Sequence, residues 1–474
     1  MIVARLLAGV VLSLAAWQVM AAEPLVPNDV PPKPVSASAY ALDLAGLYRE
    51  ARLEDPRVLG AYLRAKAAGE QQREALGSLL PQVAINSSVN RILRKDEASR
   101  EIYDNKSNQL SLTQYLYNKS AWESYQKSKS VTLQRGEQAE DSHAEATVDL
   151  AQRYFVALAA DDELELVQAE RRATQKNLDR VNMMYERQMA KITDMLDLKA
   201  RVDALAAQEV EARNQVQVSR EALSEVVGRP INERLSRVRN DVALQAPPQP
   251  LANFVTQALD ANPLLKSYEH GAEAANAAVR EGKGGHYPQL SLSLSAGRSD
   301  VGYDNTQTPR SDSYVASVGV SIPLYSGGST SARVRGLYDE QLAAEQQLEG
   351  IRRQVVKETT TAYLTAQASV EKIRANRNAL SSAQQSSIAA QKAFAYGVVN
   401  AVDVLTSVQN EFRARRDLLK SQYDFITNLF MLNRWSGKLN EESVDSVNVW
   451  LSPEPEKGLP GGDVARLEPA VPRR

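Results

Sequence analysis

Residues 144–185 read AEATVDLAQRYFVALAADDELELVQAERRATQKNLDRVNMMY. Apolar side chains return three and four places apart along this stretch: Val148, Ala151, Tyr154, Phe155 and Leu158, then Leu164 and Val167, then Leu178, Val181 and Met184. That spacing draws one stripe down an α-helix. The stretch is the middle of a longer run. From Asn118 to Val227 there is no proline and a single glycine, Gly136, among residues that favour helix. At ~1.5 Å per residue, the part up to Tyr185 is a rod of roughly 100 Å. Such a rod has to pack lengthwise on other helices, as in a coiled coil. Between Met189 and Thr193 the pattern weakens, and Ile192-Thr193-Asp194 predicts a break. Helix then resumes to Val227, with Gly228 as its cap and Pro230 beyond.

Composition narrows the classes. Lys and Arg number 56 against 58 Asp and Glu, a net charge of −2, which implies no basic surface for nucleic acid. The absence of cysteine excludes disulfides, thiolate metal sites and a lipid-modified N-terminal cysteine. Three histidines, His143, His270 and His286, are too scattered for a metal centre. Apolar residues make up 43% but aromatics only 6%, a balance of long helices rather than thick cores. Residues 1–22 read as a signal peptide: Arg5, an apolar Leu6–Trp17, and small residues up to Ala21 and Ala22. No later segment has the ~18–20 consecutive apolar residues of a transmembrane helix, so any membrane crossing must use strands.

In chain order, 23–39 is an irregular lead-in and 40–82 holds two helices. Leu42–Leu53 has helical spacing, Asp55-Pro56 opens a second helix to about Leu80, and Pro81 ends it. Residues 83–117 change period. Val83, Ile85, Val89 and Leu93 alternate loosely with polar residues, a polar loop runs from Arg94 to Asn108, and Leu110, Leu112, Gln114 and Leu116 follow. Each run is about ten residues, the length of a membrane-spanning strand. Residues 118–228 are a long helical hairpin and 229–250, ending in prolines, a linker. The pattern then repeats: helices in 251–287, strands in 288–325, a hairpin in 326–436 and a tail in 437–474 that is expected to be mobile beyond Leu451. Asn262-Pro263 matches Asp55-Pro56 at an offset of 207 residues, Pro288-Gln289 matches Pro81-Gln82 at 207, and Phe394–Asp403 matches Tyr185–Asp194 at 209. The chain is a structural duplication.

Four membrane-length strands cannot close a barrel, because open edges in lipid leave backbone groups unpaired. Strands must therefore be pooled between chains, a dimer giving eight and a trimer twelve. Leu290, Leu292 and Leu294 with Val318, Val320 and Ile322 would face lipid, and the serines between them would face inward. A pair of soluble β-hairpins reads similarly.

The duplicated halves resemble the TolC family of outer-membrane efflux channels. The resemblance rests on Leu79-Leu80-Pro81-Gln82, Tyr287-Pro288-Gln289-Leu290, the segment Ser321-Ile322-Pro323-Leu324-Tyr325-Ser326-Gly327-Gly328, and Tyr396-Gly397 followed by Val402-Asp403-Val404-Leu405. It covers roughly residues 40 to 450. It implies an α+β membrane protein whose duplicated strand–strand–long-hairpin units form a homotrimer. The trimer would be a 12-stranded outer-membrane β-barrel continued by a periplasmic α-helical coiled-coil tunnel. It also implies a periplasmic adaptor (membrane fusion) protein and an inner-membrane transporter, ABC or proton-driven. The cargo would be exported protein, by type I secretion, or small molecules.

In that family the far ends of the hairpins curl inward and acidic residues form the narrowest ring. Carried over, Asp194 and Asp403 would place six carboxylates about one axis, with Thr193, Asp197 and Thr406 beside them. The family's best-known member has an arginine four residues before the second aspartate and an acid three after it; here Val399 and Thr406 stand there. Pro81, Pro288, Gly327 and Gly328 read as strand-to-helix swivels. Gly282-Lys283-Gly284-Gly285, the nearest thing to a phosphate loop, reads as a flexible connector. With no phosphate-binding loop, nucleophile elbow or His-Glu-x-x-His, neither a catalytic site nor a cofactor is expected. The rival is a periplasmic coiled-coil adaptor without a pore. Such adaptors interrupt one hairpin with small β-domains, whereas this chain has two hairpins and paired strands.

Overall fold

The computed structural model describes residues 42–95, 100–239, 242, 244–303, 306–307 and 310–452. The expected signal peptide, the lead-in at 23–39 and the tail beyond Ser452 lie outside the described residues. Repeat 1 consists of α1 (Leu44–Glu54), α2 (Pro56–Gly77), β1 (Gln82–Lys95), β2 (Arg100–Tyr117), α3 (Lys119–Glu186) and α4 (Ile192–Val227). A short β3 (Arg237–Val238) precedes repeat 2. That repeat consists of α5 (Leu251–Ala261), α6 (Pro263–Gly284), β4 (Gln289–Tyr303), β5 (Thr306–Gln307), β6 (Ser311–Ser321), α7 (Ser329–Ala395) and α8 (Ala401–Trp435). The chain closes with α9 (Glu441–Asn448) and β7 (Leu451–Ser452). Corresponding helices match closely in length: 11 and 11, 22 and 22, 68 and 67, 36 and 35 residues.

The duplication is visible in the joints as well. Asp55 and Asn262 are both buried between paired helices. The Asp55 carboxylate accepts the Arg57 backbone N–H at 2.8 Å and pairs with the Arg57 guanidinium, which also reaches Asp149 at 2.8 Å. Asn262 accepts the Leu265 N–H at 3.0 Å and donates to the Trp435 carbonyl at 2.9 Å. Both caps satisfy helix-end N–H groups that would otherwise be unpaired. The Pro-Gln motif also has a physical basis in repeat 1. Pro81 stops α2, and the Gln82 side chain donates to the Gly77 and Leu80 carbonyls at 2.7 and 3.2 Å.

The chain divides into two compact units, and the boundaries between them fall within α2, α3, α6 and α7. One comprises Lys66–Gln134 and Glu269–Gln347 and carries the sheet. Its strand order is β1–β2–β4–β6, all antiparallel, with β5 a short addition at the end of β4. The strands exceed the expected ten residues. The expected polar loop Arg94–Asn108 is largely strand, Arg100–Asn108 pairing in register with Ser87–Lys95. Polar residues on both faces concealed that extension. Nor is Gly282–Gly285 a flexible connector. It closes the last turn of α6, where a Cβ on Gly284 would stand 2.7 Å from the Ser120 backbone and one on Gly282 2.7 Å from Leu337 Cδ1. Ion pairs fasten the same junction: buried Glu123 takes both Lys119 and Arg280, and Glu281 takes Lys127. At the start of α7, Gly327 and Gly328 have φ of +63° and +81°, conformations that glycine adopts without strain. Pro288 stands between α6 and β4, as Pro81 does between α2 and β1.

The other unit takes in Arg135–Tyr268, Leu348–Arg474 and Ala37–Ala65, as far as these are described. Its main core gathers Leu44 and Leu47 of α1, Tyr154, Phe155 and Leu158 of α3, Leu223 of α4, and Phe425 and Phe430 of α8. The expected linker is packed into this unit. β3 pairs with β7, and the Tyr154 hydroxyl donates to the Ser236 carbonyl at 2.7 Å. Arg237 binds Asp162 at 3.1 Å and Glu165 at 2.9 Å. The tail from Gly437 likewise begins with ordered structure, α9 and β7, before Ser452. Among the described residues, no helix is long and apolar enough to cross a membrane.

Candidate functional site: two helix breaks and a two-faced sheet

The first break lies at Arg187–Lys191, overlapping the expected Met189–Thr193 and starting two residues earlier. Ile192, Thr193 and Asp194 are not the interruption but the first turn of α4. Both breaks close alike. The Met189 N–H bonds the Met184 carbonyl and the Gln188 N–H that of Tyr185; in repeat 2, Val398 bonds Ala393 and Gly397 bonds Phe394. These are Schellman closures, which need a left-handed residue just past the helix. Gly397 supplies it at φ +72°, and Gln188 adopts it at φ +60°.

The restarts differ. Asn400 caps α8 in a reciprocal box, accepting the Asp403 N–H at 2.8 Å while the Asp403 carboxylate accepts the Asn400 N–H at 3.2 Å. Lys191 precedes α4 with no side-chain cap. Asp194 and Asp403 each occupy the third position of their helix, where the positive end of the helix dipole favours a carboxylate. An apolar cluster of Val181, Leu198, Ala401 and Leu405, flanked by Leu178, Met195 and Phe394, draws the two breaks together. Asp197, Thr193, Asp403 and Thr406 are exposed around it, and the Thr406 hydroxyl donates back to the Val402 carbonyl. Val399 lies in the turn before Asn400. The sequence reading missed Asn400 and Gln188. Asn400-x-x-Asp403 is a recognisable helix-start spacing, whereas nothing local marks Gln188 except its offset of 209 from Gly397.

The sheet is the second feature. Register places Val83, Leu112, Leu294 and Ala316 in one cross-strand row, and Ile85, Leu110, Ala296 and Tyr314 in the next. Leu292 faces Val318, and Leu290 faces Val320, on the same side; Ile322 stands one residue beyond β6. The opposite side reads Gln82, Thr113, Ser293 and Ser317; then Ala84, Ser111, Ser295 and Val315; then Asn86, Gln109, Gly297 and Ser313; then Ser88, Ser107, Ser299 and Ser311. Large apolar residues of the outer strands stay exposed on the first side, Ile85 at 76% and Val318 and Val320 at 63%, whereas Leu290, Leu292 and Leu294 of central β4 are half-buried and Leu112 of β2 is buried. Among the described residues β1 and β6 each have one unpaired edge.

A sheet with one bare apolar face, one polar face and two open edges, joined to paired long hairpins, defines a class: an outer-membrane channel whose barrel is pooled between copies. The chain belongs to the outer membrane efflux protein family, whose sequence pattern matches residues 47–229 and 254–438, one span per repeat. It is 29% identical over 420 residues to the outer membrane protein TolC of Vibrio cholerae, covering 88% of this chain and 95% of that one. It is also 29% identical over 422 residues to the alkaline protease secretion protein AprF of Pseudomonas aeruginosa, covering 86% and 87%. Among solved structures, the Campylobacter jejuni CmeC outer membrane channel superposes with a TM-score of 0.76 at 14% identity, covering 88% of this chain and 93% of that one. CusC superposes at 0.74 and 18%, covering 86% and 95%. At these identities the two structures establish the fold. The protein is an outer-membrane exit channel and not an enzyme, with a membrane β-barrel and a periplasmic helical domain. Channels of this family are homotrimers that work with an adaptor protein and an inner-membrane transporter.

Proposed function

We propose that this trimer is the exit duct of a type I protein-secretion system, taking exported polypeptide from an inner-membrane transporter through a periplasmic adaptor. The observation that carries the channel is the sheet, whose edges and bare apolar face require both other copies and lipid. Leu290, Leu292, Leu294, Val318 and Val320 meet outer-membrane lipid, with Ile322 at the margin. Two relatives named for secreting proteases, AprF and PrtF, support protein as cargo over small molecules. Asp194 and Asp403 form the constriction, with Thr193, Asp197 and Thr406 around it. The clustering of both breaks on one apolar contact supports this assignment.

Detergent extraction of outer membranes should yield a trimer by light scattering and pores in planar bilayers. A stable water-soluble monomer would sink the channel assignment. Crosslinking in cells should capture an adaptor together with a transporter of the ATP-driven, protein-exporting kind. Capture of a proton-driven drug transporter alone would overturn the secretion assignment and leave the channel standing.

A further inference from the structure

We propose that the lumen of this barrel carries no fixed charge over its membrane-spanning length, so that charge discrimination is left wholly to the helical part of the channel. The proposal rests on the assignment of the apolar sheet face to lipid and goes beyond it. In the paired rows from Gln82 to Ile92, every charged residue of the strands falls on that apolar side: Arg91, Asp104, Lys106, Arg298, Asp300 and Asp312; charge reaches the opposite side only in the row Arg94–Glu101, two rows further from the apolar band. The opposite side of the same rows has only hydroxyls, carboxamides, glycine and a few apolar or aromatic residues. An alternating strand has no intrinsic reason to sort charge this way.

The outward charges are also matched with one another. Arg298 grips Asp312 through two bonds of 2.7 and 3.0 Å, Arg310 reaches Asp300 at 3.3 Å, and Arg91 lies 3.8 Å from Asp104. Lys106 stands directly opposite Asp300 in register. All of these lie toward the strand ends remote from the long helices, past the apolar rows. On the inner side, polar groups turn to one another or to the backbone. The Ser299 hydroxyl bonds Asn105 at 3.3 Å, the Ser111 hydroxyl the Ala84 carbonyl at 3.4 Å, and the Ser313 hydroxyl the Gly297 carbonyl at 3.4 Å. Conduction requires that cargo be held weakly enough to leave. A wall of mutually bonded hydroxyls and carboxamides neither traps nor repels an acidic or a basic stretch of hydrated polypeptide.

The chain has no native cysteine, so single cysteines report one site each. Ser295→Cys and Val318→Cys would be placed separately in the background Asp194→Asn with Asp403→Asn, which removes the tip carboxylates. Each purified trimer would be treated in bilayers with a cationic or an anionic methanethiosulfonate. Ser295→Cys should be modified and Val318→Cys should not; the reverse pattern would overturn the face assignment itself. Given modification at position 295, the cationic and anionic adducts should shift the reversal potential by similar amounts in opposite directions. A large shift with one adduct and none with the other would reveal a resident charge and overturn the proposal, while leaving the channel assignment intact. Modification with no shift of either sign would overturn it too, because the wall would then be too distant for its charge to matter.

Discussion

Gln188 is the residue at which the two repeats disagree most plainly about backbone strain. It holds φ +60°, is exposed, and corresponds to Gly397 at φ +72°. A left-handed non-glycine residue costs about 1–2 kcal/mol, part of which glycine returns through the entropy of its unfolded state. Gln188→Gly should therefore stabilise the purified trimer by about 0.5–1 kcal/mol in urea unfolding. A loss of stability would mean that the Gln188 side chain makes a contact worth more than the strain. A second residue makes a pH statement. Asp162 is 3% exposed, accepts the Tyr423 hydroxyl and pairs with Arg237. Burial raises its carboxyl to about 6, although Arg237 and the Tyr423 bond pull it down. An unfolded Asp titrates near ~3.9, so between about pH 4 and 6 the folded chain holds more protons than the unfolded one. The stability contributed by this group is full below about pH 4 and is lost as pH rises through about 6. Asp162→Asn should compare worst with the native protein at about pH 4 and recover by about pH 7, a swing of up to ~3 kcal/mol. A difference in apparent melting that stays constant with pH would count against a raised carboxyl.

At the scale of elements, the strands give the sharpest test. Arg at Leu292 or Val320 should cost about 2–4 kcal/mol if these positions lie near the bilayer midplane, while Ser293→Arg should cost much less. Yield of folded trimer and urea unfolding in lipid would rank them; equal tolerance of all three would refute the register as a membrane register. The helices were legible because proline, glycine and periodicity mark them openly: Asp55-Pro56, Asn262-Pro263 and Gly228 stand at real helix ends. The strands were legible only where one face is apolar. Past Asn108 toward Arg100 both faces are polar, so alternation, the signal that marks a half-buried strand, disappears. The expected break in repeat 1, Met189–Thr193, overlaps the observed one but reaches two residues too far for a related reason. Ile and Thr are weak helix formers, yet in a first turn they are harmless, and Asp is favoured there. The true break contains neither glycine nor proline. The packed linker was hidden because two-residue strands such as β3 and β7 have no periodicity to read.

At the scale of the whole molecule, the constriction is the assignment that one chain cannot test, because only three copies bring Asp194 and Asp403 around one axis. Carboxylates within a Debye length of one another attract cations strongly and repel anions. Replacing both, Asp194→Asn with Asp403→Asn, should lower cation over anion selectivity in bilayer recordings and weaken block by multivalent cations. The substitution is mild in structure. The carboxamide introduced by Asp403→Asn keeps an acceptor oxygen for the Asn400 N–H, so the start of α8 survives, and Asp194 makes no cap that a carboxamide could not replace. Trimer yield should therefore be unchanged, which separates a pore effect from a folding effect. Asn400→Ala serves as the opposite control, because it removes the cap at a cost of about 1 kcal/mol and leaves every tip carboxylate in place. It should loosen the tip and raise the fraction of time spent conducting, without reversing selectivity. Asp179, exposed on α3 and bonded among the described residues to Gln175 of its own helix, should change neither property when replaced by Asn. If the double variant keeps full selectivity and full block, the narrow section lies elsewhere. Thr193, Asp197 and Thr406, the exposed neighbours on the first two turns of α4 and α8, are then the next residues to replace.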